Sequence, residues 1–266
     1  MLPILLKLGP ITIYAYGLFF AFGVFAGLYW FWKIGRDEHW EENILFDTYF
    51  IALFIYLVVG RMAYVMVHPE LYNLGKAISI LAYPGIVSSV GILAASIVVL
   101  LLARKAEWEE WKVMDGWVVV VSTVLVITSI GAILNGSLPG VVSNTFGYIH
   151  PGDTVARIPG DVWSFIWSLI TFGIVSRVRK NFRFYAWYKG EASVAKDGLA
   201  ALCFGVMVGG YYLIAGVMLE GSRLGVVPIM SLIGLGLVLC FSFMIYWRGG
   251  KNRGEVILAR FKRNLS

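Results

Sequence analysis

Two charged side chains stand inside long apolar runs of this sequence, Asp47 and Arg61, both within Ile44–Val67. An ionised group in the middle of such a segment costs about 2.5–3.5 kcal/mol, so each is a candidate for chemistry. A guanidinium is a fixed fork of five N–H donors that matches a phosphate or a carboxylate. Asp47 lies close to the end of its run, where a solvated carboxylate and a functional one read alike. Other apolar runs bring hydrogen-bonding groups to the depth of Arg61: Tyr14 and Tyr16, Ser88 and Ser89, Ser129 and Asn135, and Tyr211 and Tyr212. Guanidinium, hydroxyls and an amide together make a cradle for a lipid phosphate. Taken singly, the same serines and tyrosines read equally as helix-to-helix hydrogen bonds worth about 0.6 kcal/mol each. Glu220 and Arg223 close the sixth run, and on spacing alone they fit a solvated helix end.

These residues are carried by a chain that cannot fold in water. Of its 266 residues 59% are hydrophobic and 14% charged, and the mean hydropathy is +0.78. Soluble domains average roughly 45–50% apolar and about 25% charged. The composition excludes a disordered tail, a disulfide scaffold and a water-soluble enzyme. Seven segments reach the roughly 17–25 residues that a crossing helix needs: Ile11–Trp32, Ile44–Val67, Ile78–Leu102, Trp117–Leu138, Val162–Val178, Leu199–Leu219 and Pro228–Trp247. The expected fold is an all-α integral membrane bundle of seven helices forming one domain over residues 1–266, without internal repeat. Lys7, Lys76, Arg157 and Arg223 fall on one side of it. All the other basic residues except Arg61, of 22 Lys and Arg, fall on the opposite side. Basic loops stay in the cytoplasm, which places the N-terminus outside and the C-terminus inside.

The remaining features are architectural. Gly23-x-x-x-Gly27 and Gly205-x-x-x-Gly209 are close-packing spacings. The basic, aromatic stretch Arg177–Lys189 and the run Glu107–Lys112 suit a membrane surface better than a nucleic acid. Cys203 and Cys240 lie in apolar segments without metal or redox spacing, and no cofactor or metal is expected. The start of the chain does not read as a cleavable signal peptide.

The motifs resemble those of the prolipoprotein diacylglyceryl transferase family. Tyr14-Ala15-Tyr16-Gly17 is similar to its His-x-Tyr-Gly element, with Tyr14 at the histidine place. Gly60-Arg61-Met62-Ala63-Tyr64-Val65 matches its Gly-Arg-x-x-Tyr-Val motif, and Asn135-Gly136 its Asn-Gly element. Glu220 and Arg223 match two places of an Arg-x-x-x-Glu-x-x-Arg pattern whose first place is Gly216. The resemblance implies transfer of diacylglyceryl from phosphatidylglycerol to a lipobox cysteine thiol at the outer face of the cytoplasmic membrane, releasing glycerol phosphate. It assigns catalysis to Tyr16, Asn135 and Glu220. Substrate binding goes to Arg61, Arg223, Tyr14, Ser89, Ser129, Gly136 and Tyr212. The partners it implies are phosphatidylglycerol and a lipoprotein precursor peptide.

The sequence departs from the family at defined places. Ser88-Ser89-Val90-Gly91 has Val90 where the family has histidine. Residues 128–137, Thr-Ser-Ile-Gly-Ala-Ile-Leu-Asn-Gly-Ser, stand against Gly-Arg-x-Gly-Asn-x-x-Asn-x-Glu. The outer segment Pro139 to Asp161 is short. Of the histidines, His39 falls on the cytoplasmic side, and His68 and His150 in outer regions. An active transferase with a rearranged base and a non-catalytic relative that binds phospholipid or precursor both fit these residues. A retinal protein would need a lysine in Pro228–Trp247, which has none, and a transporter would show paired repeats.

Overall fold

The structure is a computed structural model that describes residues 4–8, 11–78, 85–143, 147–149, 154–189, 197–219, 223–224 and 227–263. Its helices are α1 (Ala15–Asp37), α2 (Glu42–Met66), α3 (Leu74–Ile78), α4 (Ser88–Lys105), α5 (Glu110–Asn135), α6 (Gly160–Lys189), α7 (Leu199–Met218) and α8 (Ile229–Arg263). Seven of them contain a segment long and apolar enough to cross a membrane. The protein is a multi-pass, all-α membrane protein. Large apolar side chains stand exposed along these helices, among them Phe22, Phe25, Phe54, Leu93, Leu239 and Phe243, as helices facing lipid require. The short strands are all antiparallel. β1 (Ile4–Leu8) pairs with β2 (Ile11–Tyr14), and β6 (Arg223–Leu224) with β7 (Val227–Pro228). The segment between α5 and α6 forms a sheet in the order β3 (Pro139–Val142), β5 (Ala156–Pro159), β4 (Tyr148–Ile149).

The chain divides into two compact units, Leu28–Trp117 and Met1–Gly27 with Val118–Ser266, so α1 and α5 each run from one into the other. In the first unit, Phe31, Ile34, Leu45, Tyr49, Val99, Val113 and Trp117 form the core. Trp117 donates its indole N–H to Ser96 Oγ at 3.0 Å, and Ser96 donates back to the Ile92 carbonyl. Gly91 lets α4 approach α2: a Cβ there would lie 2.7 Å from the Tyr56 carbonyl oxygen and 2.8 Å from its ring. Gly91→Ala is therefore expected to destabilise by about 1–3 kcal/mol through overpacking, measured by equilibrium unfolding in mixed micelles.

In the second unit the Gly-x-x-x-Gly spacings do what close packing demands. A Cβ on Gly205 would meet the Phe241 ring at 2.5 Å, and one on Gly209 would meet Val238 N at 2.8 Å, so α7 and α8 touch backbone to backbone. Gly23 lies against the Val124 carbonyl, and Gly131 against Phe19 and the Tyr16 backbone, joining the start of α1 to the C-terminal half of α5. Trp167 donates to the Met207 carbonyl at 2.9 Å and fixes α6 on α7.

Several boundaries differ from the sequence reading. Ile11–Tyr14 is a strand, because the β-branched run Ile11-Thr12-Ile13 pairs with β1 and α1 starts only at Ala15. The third crossing helix starts at Ser88, since Gly85 takes φ +157° and breaks the chain there; residues 79–84 of the expected span lie outside the described residues. Ser88 and Ser89 thus occupy the first turn of α4, where mid-helix positions were expected. The fourth helix begins earlier than Trp117, at Glu110, so Trp111 and Lys112 are helical. At the last crossing, α8 continues past Trp247 to Arg263.

Candidate functional site

Arg61 is buried, with 6% of its surface exposed. Its Nε donates to the Ala77 carbonyl at 2.8 Å, its Nη1 to the Gly85 carbonyl at 3.0 Å and its Nη2 to the Lys76 carbonyl at 3.0 Å. The guanidinium also lies 5.6 Å from the centre of the Tyr64 ring. Arg61 and Tyr64 of the Gly-Arg-x-x-Tyr motif therefore both meet Gly85, and Arg61 also holds Lys76 and Ala77. Gly85 packs on the Tyr64 ring so closely that a Cβ there would overlap it, and Gly60 accepts the Val87 N–H at 3.0 Å. Neither glycine leaves room for a side chain, since a Cβ on Gly60 would lie 2.6 Å from the Ile86 side chain. Ser88 Oγ accepts the Tyr56 hydroxyl at 3.2 Å, and Ser89 is exposed. Val90, in the same turn, is 40% exposed.

In the other unit Tyr16 occupies the first turn of α1 beside Gly131, one turn before the end of α5. Tyr14, at the end of β2, is exposed. Asn135 is the last residue of α5 and donates to Ser137 Oγ at 2.8 Å. Gly136 follows with φ +67°, and its N–H and that of Ser137 both go to the Ala132 carbonyl. Asn135-Gly136 is thus the C-terminal cap of α5, and the left-handed residue there is the reason for a glycine. Ser129 bonds to the Val126 carbonyl of its own helix. Tyr212 is half-buried next to Tyr211, whose hydroxyl bonds to Ser164 at 2.8 Å. Arg223 begins β6. Glu220 and His150 lie outside the described residues.

Asp161, at the end of the segment Pro139 to Asp161, is fully buried in the first turn of α6. Its Oδ1 accepts the Leu138 N–H at 2.9 Å, and it accepts a hydrogen bond from the Tyr148 hydroxyl. One carboxylate therefore ties the exit from α5, strand β4 and the helix N-terminus, whose dipole favours an anion. The signal was present in the sequence: Pro159-Gly160-Asp161 immediately before an apolar run marks a helix start. Burial pushes the Tyr148 phenol up, and the Asp161 charge and hydrogen bond push it further. A raised value favours the neutral phenol. The stability it confers is full below the ordinary tyrosine value of about 10 and is lost as pH rises through the folded value. Asp161→Asn should bring Tyr148 part of the way back toward its ordinary titration, followed by NMR of carbon-labelled tyrosine.

The model of the family described as prolipoprotein diacylglyceryl transferase matches residues 3–248. The chain belongs to the prolipoprotein diacylglyceryl transferase family. Among relatives named phosphatidylglycerol–prolipoprotein diacylglyceryl transferase, that of Wolbachia pipientis is 24% identical over 214 residues, 77% of this chain and 78% of the relative. That of Desulfotalea psychrophila is 30% identical over 186 residues, 67% of this chain and 68% of the relative. The protein of Psychrobacter arcticus is 31% identical over 150 residues, 53% of this chain and 49% of its own length. The prolipoprotein diacylglyceryl transferase match takes in every element from β1 through the crossing part of α8.

Proposed function

We propose that the protein moves diacylglyceryl from phosphatidylglycerol to the lipobox cysteine of a lipoprotein precursor, with its N-terminus outside and its site open to the outer face of the cytoplasmic membrane. The observation that carries this reading is the family match over residues 3–248, which includes a Gly-Arg-x-x-Tyr motif whose arginine is buried and fixed by three hydrogen bonds. In the reaction the thiol releases its proton to solvent and the sulfur attacks the phosphate-bearing carbon of the diacylglycerol moiety. That C–O bond breaks, and glycerol phosphate leaves with the electron pair. Arg61 and Arg223 meet the phosphate charge, and Tyr14, Ser89, Ser129, Gly136 and Tyr212 line the lipid and peptide. Tyr16, Asn135 and Glu220 orient the thiol and the leaving group. The skew of basic residues supports the orientation.

A second reading, a relative that binds phospholipid or precursor without turning them over, is favoured by Val90 and Ser129. An apolar side chain and a self-bonded hydroxyl stand where the family has a histidine and an arginine. Losing a general base commonly costs about 10²–10⁴-fold. Purified protein with labelled phosphatidylglycerol and a lipobox peptide separates the two. The first reading expects thiol-dependent transfer that fails with a Cys→Ser peptide and in Tyr16→Phe. Retained lipid binding with no transfer supports the second.

A further inference from the structure

The two turns at the same end of unit Leu28–Trp117 are built alike. Arg36, Trp40, Glu41, Glu42 and Asp47 around the α1–α2 turn recur as Arg104, Trp108, Glu109, Glu110 and Asp115 around the α4–α5 turn, each 68 positions further on. With the same offset Gly17 becomes Gly85, Gly23 becomes Gly91 and Ala26 becomes Ala94. The backbones agree. His39 and Glu107 both take the left-handed conformation, at φ +59° and +58°, which non-glycine residues seldom adopt. Trp40 N–H goes to the Gly35 carbonyl at 2.8 Å, and Trp108 N–H to that of Ala103 at 2.9 Å. His39 N–H goes to Arg36 at 3.3 Å, and Glu107 N–H to Arg104 at 3.2 Å. Leu45 and Val113, and Phe31 and Val99, are equivalent pairs buried alike.

The contacts show how the two turns are related. Trp40 stacks on its own equivalent Trp108, with ring centres 4.8 Å apart and 12° between planes, and Tyr49 meets its equivalent Trp117 edge-on at 6.4 Å. A residue touches its own copy where a two-fold axis passes, as in an isologous dimer contact. Glycine contacts swap in the same way. Gly91 lies on the carbonyl of residue 56, and Gly23 on the carbonyl of residue 124, the equivalent of 56.

We propose that residues 17–66 and 85–134 are two copies of one helical hairpin, joined at their turns about a local two-fold axis marked by the Trp40–Trp108 stack. The repeat is faint in the sequence because the two copies share only ten residues, five of them around the turns and five scattered along the crossing helices, which otherwise keep only their apolar character. Where the copies agree they serve the scaffold, and where they differ function was added. The equivalents of Arg61 and Tyr64 are Ser129 and Ala132. The second hairpin forms without a guanidinium, so the hairpin fold itself does not require Arg61, whose bonds go to the carbonyls of Lys76, Ala77 and Gly85. None of this depends on the lipid reading.

The test uses the full chain in detergent. Trp40→Ala or Trp108→Ala alone should abolish the far-UV exciton couplet of the stacked indoles. The double variant should lower the melting temperature by less than the two single drops combined, because both remove one shared contact. The axis also dictates a reciprocal contact. A Cβ on Gly116 lies 2.9 Å from the Ile34 side chain, so Thr48 must face Leu102. A disulfide should form in Thr48→Cys/Leu102→Cys as readily as in Ile34→Cys/Gly116→Cys. A couplet that survives either single change, fully additive losses, or a cross-link confined to the second pair would overturn the proposal.

Discussion

Arg61→Ala should remove on the order of 3–5 kcal/mol of stability, because hydrogen bonds from a charged donor are worth about 1.5–3 kcal/mol each and a buried side chain that makes three of them is lost at once. Those carbonyls belong to Lys76, Ala77 and Gly85, so the loss should begin locally. Hydrogen exchange should rise first at Ala77 and Val87, whose amides are bonded to Asn73 and to Gly60. The stacked turns at the other end of α2 should keep their protection. Arg61→Lys retains the charge but only part of the donor fork, and should fall between the wild type and alanine. Under the lipid reading both variants also weaken phosphatidylglycerol binding. Equal exchange across the whole chain, or no change at Val87, would contradict the role given to this side chain.

The second large effect belongs to Asp161. Asp161→Ala deprives the Leu138 N–H and the Tyr148 hydroxyl of their acceptor in a place where the carboxylate is wholly enclosed. An orphaned donor costs about 1–3 kcal/mol, and both groups are half-buried, so about 2–3 kcal/mol is expected from equilibrium unfolding in mixed micelles. Asp161→Asn keeps an acceptor oxygen and loses the charge at the start of α6, which is worth about 0.3–1 kcal/mol. Asparagine should therefore recover most of what alanine loses. The variants should also differ in proteolysis of the sheet formed by Pro139–Val142, Tyr148–Ile149 and Ala156–Pro159, which alanine frees from the helix start. Identical stability for alanine and asparagine would mean that the carboxylate does not act as the tie.

The sequence by itself determined the class of the protein, its seven crossing segments and the residues worth watching. The reason is thermodynamic: a run of some 20 apolar residues must be enclosed in lipid as a helix wherever its neighbours lie. The same logic made Arg61 stand out, since a charge in such a run needs a partner. What that partner is depended on the tertiary structure. Three backbone carbonyls from a distant stretch carry no signature in their side chains, so nothing in the letters at 76, 77 and 85 announces a guanidinium site. Asn135-Gly136 likewise took its meaning from position, because only the folded chain shows that α5 ends there and that Gly136 must be left-handed. The strand at Ile11–Tyr14 and the late start of α4 were decided by pairing with β1 and by Gly85, contacts that hydropathy does not register. The duplicated hairpin was hidden for the opposite reason. Lipid-facing positions accept almost any apolar residue, so the helices drifted apart while the turns, held by tryptophan stacking and a left-handed residue in each, kept their pattern.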